Sequence, residues 1–227
     1  MVDMKRYTAT ALGALMLATA PMAANALTVM LTSSDGATMT ITDGGSGDGD
    51  SNPGAIFVSG STVGGFSFTN LTAVSNDHAT SSELTQTSLN ITGGGAGETL
   101  TINTSDSFSG GSNDPDPSAV TYNLGGSSLG GNLSGFGTAG AVSTATVSFD
   151  VATDGTDNFS GGSSTSAVLS DPFAMSSTVT VGQVTTGQTS FTSTVTAAVP
   201  VPAAGLMLLT ALGGLGAAGM RRRRKAA

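Results

Sequence analysis

Apolar residues recur along the middle of the chain with a period of two. Leu27, Val29 and Leu31 alternate with polar or small neighbours. The pattern returns at Met39 and Ile41, Phe66 and Phe68, Leu89 and Ile91, Leu100 and Ile102, and Val120, Tyr122 and Leu124. Its longest clean run is Ala145, Val147, Phe149 and Val151, and it continues through Val179 and Val181 and then Phe191, Ser193 and Val195. Successive side chains of a β-strand point to opposite faces, so this alternation sends one face into a core and the other into water. The outward positions are rich in Thr, whose branched Cβ suits a pleated surface. Clusters of Gly, Asn, Asp and Ser at 43–54, 93–97, 110–116, 125–131 and 154–162 read as turns between strands. No body segment has an amphipathic helical pattern. The expectation is an all-β domain of roughly ten to twelve short antiparallel strands, a β-sandwich or jelly roll.

The two ends break this pattern. Lys5 and Arg6 precede an uncharged, mostly apolar stretch from Tyr7 to Ala20, and Ala24-Asn25-Ala26 offers the small residues a signal peptidase requires. The stretch is short for a membrane span of about 20 residues, so residues 1–26 read as a signal helix cleaved after Ala26. At the other end, Val199 to Met220 is a run of 22 uncharged residues followed by Arg221, Arg222, Arg223, Arg224 and Lys225. At about 1.5 Å per residue such a run spans a hydrocarbon core of about 30 Å as one transmembrane helix. The basic cluster holds its end on the cytoplasmic side. The expected organisation is a signal peptide (1–26), an exported body (27–196) and a C-terminal segment (197–227). The body then lies outside the inner membrane on a single-pass anchor.

Charge follows the same division. All 7 Lys and Arg lie in the terminal segments, whereas 14 of the 15 acidic residues lie in 27–196, leaving that body at about −14. Without a cation it has no side-chain charge for gripping phosphate, which argues against nucleic acid as a partner and against an anionic lipid surface. The chain has no Cys, so neither disulfides nor thiolate chemistry enter.

Catalytic patterns are sparse. His78, the one histidine, lies in the polar stretch Ser75-Asn76-Asp77-His78 and reads as a turn residue. A Ser-His-Asp arrangement through it is formally open, but so many Ser residues carry no selection. Fourteen carboxylates do not by themselves select a glycosidase pair. The expectation is a non-catalytic protein. Calcium is the cofactor the sequence suggests: Asp48, Asp50 and Asn52 present oxygen ligands at alternate positions of one Gly-rich loop. Pro53 stands where an EF-hand loop has Gly and Ser59 where it has its bidentate acid, so a solvated acidic turn is the competing reading. Asp114, Asp116, Asp154 and Asp157 are further calcium-ligand candidates without that spacing, and Asn70, Asn90, Asn103, Asn132 and Asn158 open Asn-x-Ser/Thr sequons.

The C-terminal segment resembles the PEP-CTERM class of bacterial sorting signals, and more closely its VPLPA-CTERM variant. Val199, Pro200, Pro202 and Ala203 match the motif, Val201 replaces the usual Leu, and the apolar run and basic end follow in the same order. A plain stop-transfer anchor explains the span and the cations but not the extended Pro-x-Pro outside the membrane. The resemblance covers about the last 30 residues. It implies export in a Gram-negative bacterium that makes exopolysaccharide, and cleavage near the Pro motif by an exosortase-type membrane protease. The mature body is then a structural protein at the cell surface or in the extracellular matrix, with a calcium-dependent carbohydrate-binding or adhesin module as the alternative.

Overall fold

The computed structural model describes residues 26–78, 81–95, 97–109, 117–150 and 156–198. The signal peptide, the sorting motif, the apolar run and the basic cluster lie outside the described residues, apart from Ala26. The described residues form strands and connecting turns, with no helix among them. In chain order the strands are β1 (Thr28–Ser33), β2 (Thr38–Thr42), β3 (Ala55–Val63), β4 (Phe66–Asp77), β5 (Ser81–Gly93), β6 (Thr99–Phe108), β7 (Ser118–Ala139), β8 (Val142–Ser143), β9 (Val147–Asp150), β10 (Thr156–Ala167) and β11 (Phe173–Ala198). All pairings are antiparallel.

Two long strands organise the fold. β7 and β11 pair along most of their length, but the register breaks between Gln183 and Gln188. On the other edge of β11, residues 173–182 pair with β6 and residues 188–198 with β5. One half of the sheet therefore runs β2-β1-β6-β11-β7 and ends on β8 and β9. The other half runs β3-β4-β5-β11-β7-β10. The halves fold face to face, so the architecture is a β-sandwich made from one bent sheet. Thr104 of β6 donates to Gln86 of β5 across the buried interior at 2.7 Å. Ser177 and Ser193, the two halves of β11, meet at 2.8 Å.

Side-chain alternation explains how one strand serves both layers. In β11 the odd positions are buried from Phe173 to Val181 and again from Gly187 to Ala197, so the concave face stays inward on both sides of the bend. In β7 the inward set changes from even to odd at Gly130 and Gly131, both buried, with Gly130 at φ 67°. This bulge offsets the odd number of extra residues that β11 carries at the bend.

The glycine cluster at 125–131 thus lies inside a strand of 22 residues instead of ending one. Likewise Gly161 and Gly162, expected in a turn, lie within β10. The expectation of uniformly short strands fails for β7 and for β11, which has 26 residues. Small residues are needed here because the layers approach closely. A Cβ on Gly137 would meet Val195 Cγ2 at 2.7 Å, and one on Gly135 would collide with the Tyr122 hydroxyl.

The core is continuous, with Tyr122, Phe66, Phe191, Leu31, Leu84 and Leu100 among its largest fully buried side chains. Parts of the expected core pattern differ. Leu89 is 43% exposed although Ile91 is buried, because Asn90 at φ 54° inserts a bulge between the Thr189–Ile91 and Phe191–Ser88 pairs and reverses the facing. The run Ala145, Val147, Phe149 occupies an edge, so Val147 and Phe149 are only half-buried and Ala145 is exposed. Phe149 packs against Phe159 with the rings tilted and their centroids 4.8 Å apart.

Candidate functional site

The residues suggested as calcium ligands lie in the loop that carries the chain from β2 in one layer to β3 in the other. Asp48 is its organiser. One carboxylate oxygen accepts from Asp50 N at 2.9 Å and Phe57 N at 3.0 Å, and the other from Gly44 N at 3.0 Å. Partial burial pushes its pKa up, but these three N–H donors outweigh it and hold the carboxyl below the usual carboxylate range. Asp50 Oδ1 accepts from both nitrogens of Asn52, at 2.9 and 2.7 Å. Asp43 Oδ2 accepts from Gly54 N at 2.6 Å and ties the far end of the loop. The structure thus brings Asp48, Asp50 and Asn52 into one hydrogen-bonded turn. Among the described residues no group of three or more His, Cys, Asp or Glu side chains converges in metal-binding fashion. What the arrangement performs is edge capping. Gly49 N donates to Phe57 O at 2.7 Å while Phe57 N donates to Asp48, so both backbone groups of Phe57 that face away from β4 are taken up.

A second acidic group sits where β4, β6 and the β2–β3 loop meet. Asp77 accepts from Ser82 Oγ at 2.9 Å and from Ser109 Oγ at 2.8 Å. Asp106 is half-buried. Desolvation chiefly raises its pKa, the nearby charges of Asp43 and Asp77 add to the rise, and hydrogen bonds from Ser75 and Ser107 offset part of it. His78 is exposed in the β4–β5 turn, its backbone N–H donating to Ser81 O at 2.9 Å. Its neighbour Asp77 turns instead to the two serines, so these residues do not assemble a triad. Asp114, Asp116 and Asp154 lie outside the described residues.

One groove was not among the sequence candidates. It lies on the outer face of the β6-β11-β7-β9 layer and holds about 670 Å³. Outward positions of four strands supply Thr99, Thr180, Asn132, Ser134, Ser148 and Asp150, and Glu98 stands at one end. Gly182 creates the depression: at an outward position it offers no side chain, while Thr99 Cγ2 and Asn132 stand 3.8 Å from where its Cβ would be. The sequence signal was Gly182 directly after Thr180 and Val181, a missing side chain on the polar face. The lining combines hydroxyl, amide and carboxylate groups with the apolar side chains of Leu133 and Phe149 and contains no cation, so it can hydrogen-bond a neutral polyhydroxyl compound over an apolar floor and repels anions. Asn132, a sequon residue, is exposed in this wall. Asn158 is also exposed, whereas Asn70, Asn90 and Asn103 are half-buried, and Asn103 Nδ2 donates to Thr178 at 2.8 Å.

No family model matches the chain, and no curated protein matches it. Among solved structures, it aligns with one from work on the promiscuous specificity of carbohydrate-binding modules of the β-sandwich superfamily. The identity is 12%, the TM-score 0.24, and the alignment covers 74% of this chain and 70% of that one. A likeness of this degree assigns neither family nor ligand.

Proposed function

We propose that the chain is an exported, non-catalytic structural protein of the cell surface or extracellular matrix, delivered by its two terminal segments. One observation carries the reading. The described residues form a sandwich without a single Lys or Arg, and hydroxyl and amide side chains cover much of both outer faces. Thr101 meets Thr180 at 3.2 Å and Thr138 meets Ser176 at 2.7 Å on one face, and Thr87 meets Thr192 at 3.1 Å on the other. Such a surface is soluble and free of groups that bind nucleic acid or anionic lipid. The route follows from the sorting-signal resemblance: signal peptidase removes residues 1–26, the C-terminal helix holds the chain in the inner membrane, and an exosortase-type protease cuts near Val199–Ala203. Intact-mass analysis of the protein from wild-type cells and from cells lacking that protease tests the route. The wild-type mass lacks both terminal segments, and Arg221–Lys225 still attached in wild type would reduce the tail to an anchor.

The groove beside Gly182 favours a second reading, a module that binds neutral polysaccharide. Calcium joins it only through Asp48, Asp50 and Asn52. Calorimetry with the host's own exopolysaccharide, with and without calcium, separates the readings. Binding that Asn132→Ala weakens supports the module, and absence of binding heat leaves the structural role alone.

A further inference from the structure

The four lateral edges of this sandwich are protected unequally. β2 has five residues, and the opposite side of its layer ends on β8 and β9, with two and four. Such short strands offer little ladder to a newcomer. β3 has nine residues but is blunted twice. Gly60 at φ 56° interrupts the ladder between the Ser59–Asn70 and Ser61–Phe68 pairs without shifting the register, and the Asp48 loop occupies both outward backbone groups of Phe57.

β10 carries none of these devices. It pairs with β7 through twelve consecutive positions, Thr156 with Leu129 to Ala167 with Ser118, without a bulge. Among the described residues no strand pairs with its other edge. It contains no Pro, Lys or Arg, and from Asn158 to Ala167 it has no charge. An unpaired row of backbone N–H and C=O groups of this length is a template for another strand.

We propose that the free edge of β10 is an assembly surface whose partner is β10 of a second copy of the chain, paired antiparallel about a two-fold axis. Charge confines a pair of copies to this edge. Two bodies of about −14 each repel, so they meet at least cost where both surfaces are neutral, and a self-pair of residues 158–167, which leaves Asp157 outside the ladder, places only Ser, Gly, Thr, Asn, Phe and Ala opposite one another. The fold already shows such a pairing: on its inner edge β10 lies against Leu124, Gly125, Gly126 and Ser127 of β7, a strand of the same small, neutral character. The new pair joins two sandwich layers into one continuous sheet. The inference concerns the body alone and stands apart from the route of export.

The absence of Cys makes a direct test possible. Ser160→Cys and Ser164→Cys place single thiols at exposed β10 positions, and Ser59→Cys places one on exposed β3 as control. Protein extracted from its own cells is oxidised mildly, each variant alone and the two β10 variants mixed. The expected result is a disulfide dimer from at least one β10 sample, formed several-fold faster than from the β3 control. Sedimentation velocity of the unmodified chain shows a mass that doubles with concentration, and Ser160→Lys with Ser164→Lys holds it at the single-copy mass with an unchanged β-sheet spectrum. Cross-linking no faster on β10 than on β3, or a single-copy mass at every concentration, overturns the proposal.

Discussion

At the scale of single residues, Tyr122 and Gly135 show how closely the two layers are fitted. Tyr122 comes from the half of β7 in one layer, and its hydroxyl lies over Gly135 in the half of β7 in the other. Burial drives the phenol pKa upward, only partly offset by loose contact with Ser177 and Ser193, and the hydroxyl makes no well-formed hydrogen bond. Gly135→Ala is expected to destabilise by about 1–3 kcal/mol, as overpacking of a dense interior does. Tyr122→Phe is expected to fall within about 1 kcal/mol of the parent, because no good bond is lost. Urea unfolding of both variants measures the contrast, and equal costs would mean that the contact is not tight. Asp106 gives a prediction of opposite sign to most core changes. Its raised pKa means that the fold disfavours its ionised form, so its contribution is most favourable below the ordinary carboxylate range and is lost as pH rises through the folded pKa. Asp106→Asn keeps an acceptor for Ser107 N and Ser75 without the charge. The variant melts higher than the parent near pH 7, and the gap closes in acid, where the parent carboxyl is already protonated. A gap that stays constant with pH would show that charge is not the cause.

At the scale of elements, the β2–β3 loop acts as a clamp on an exposed strand. Asp48→Ala removes three hydrogen bonds to a charged acceptor, but water reaches the freed N–H groups, so the expected cost is about 1–2 kcal/mol. Because the Asp48 pKa is depressed, its contribution is present above the ordinary carboxylate range and lost as pH falls through the folded value. Amide hydrogen exchange at Phe57 is the local readout: it speeds up in the variant, while amides of the β7–β11 ladder change little. The sequence carried much of this element level and missed its exceptions for identifiable reasons. Alternation located β1, β4, β6 and the start of β7 and even placed Ser193 correctly on the buried face. It misread Leu89 because the bulge at Asn90 reverses facing without any change in composition. It read Gly125–Gly131 as a turn because a glycine that ends a strand and one that lets a strand bend beneath another layer look identical in sequence. The groove beside Gly182 left a single missing side chain as its trace in the sequence, because four strands build it, and which strands are neighbours is a property of topology, not of local pattern.

At the scale of the whole molecule, the missing cations make stability depend on ionic strength. An ordinary surface mixes both signs, and salt weakens attraction and repulsion together. This body carries 14 carboxylates and no Lys or Arg between residues 27 and 196, so the charge interactions salt can screen are almost all repulsive. At about 10 mM ionic strength the screening length is about 30 Å, which couples carboxylates across the sandwich; at about 0.1 M it shrinks to about 10 Å and only near neighbours still interact. Raising sodium chloride over this range is therefore expected to raise the melting temperature by several degrees, since each kcal/mol corresponds to about 2–4 °C for a domain of this size. Asp106, under the charges of Asp43 and Asp77, senses the same field, so Asp106→Asn gains less at high salt than at low. Calorimetric scans of the parent and this variant across the salt series check both effects. A melting temperature that falls with salt would mean that attractive electrostatics dominate, and repulsion would then not be what sets the stability of this body. The same screening lowers the barrier between two like-charged bodies, so salt that steadies the single sandwich also strengthens association along β10.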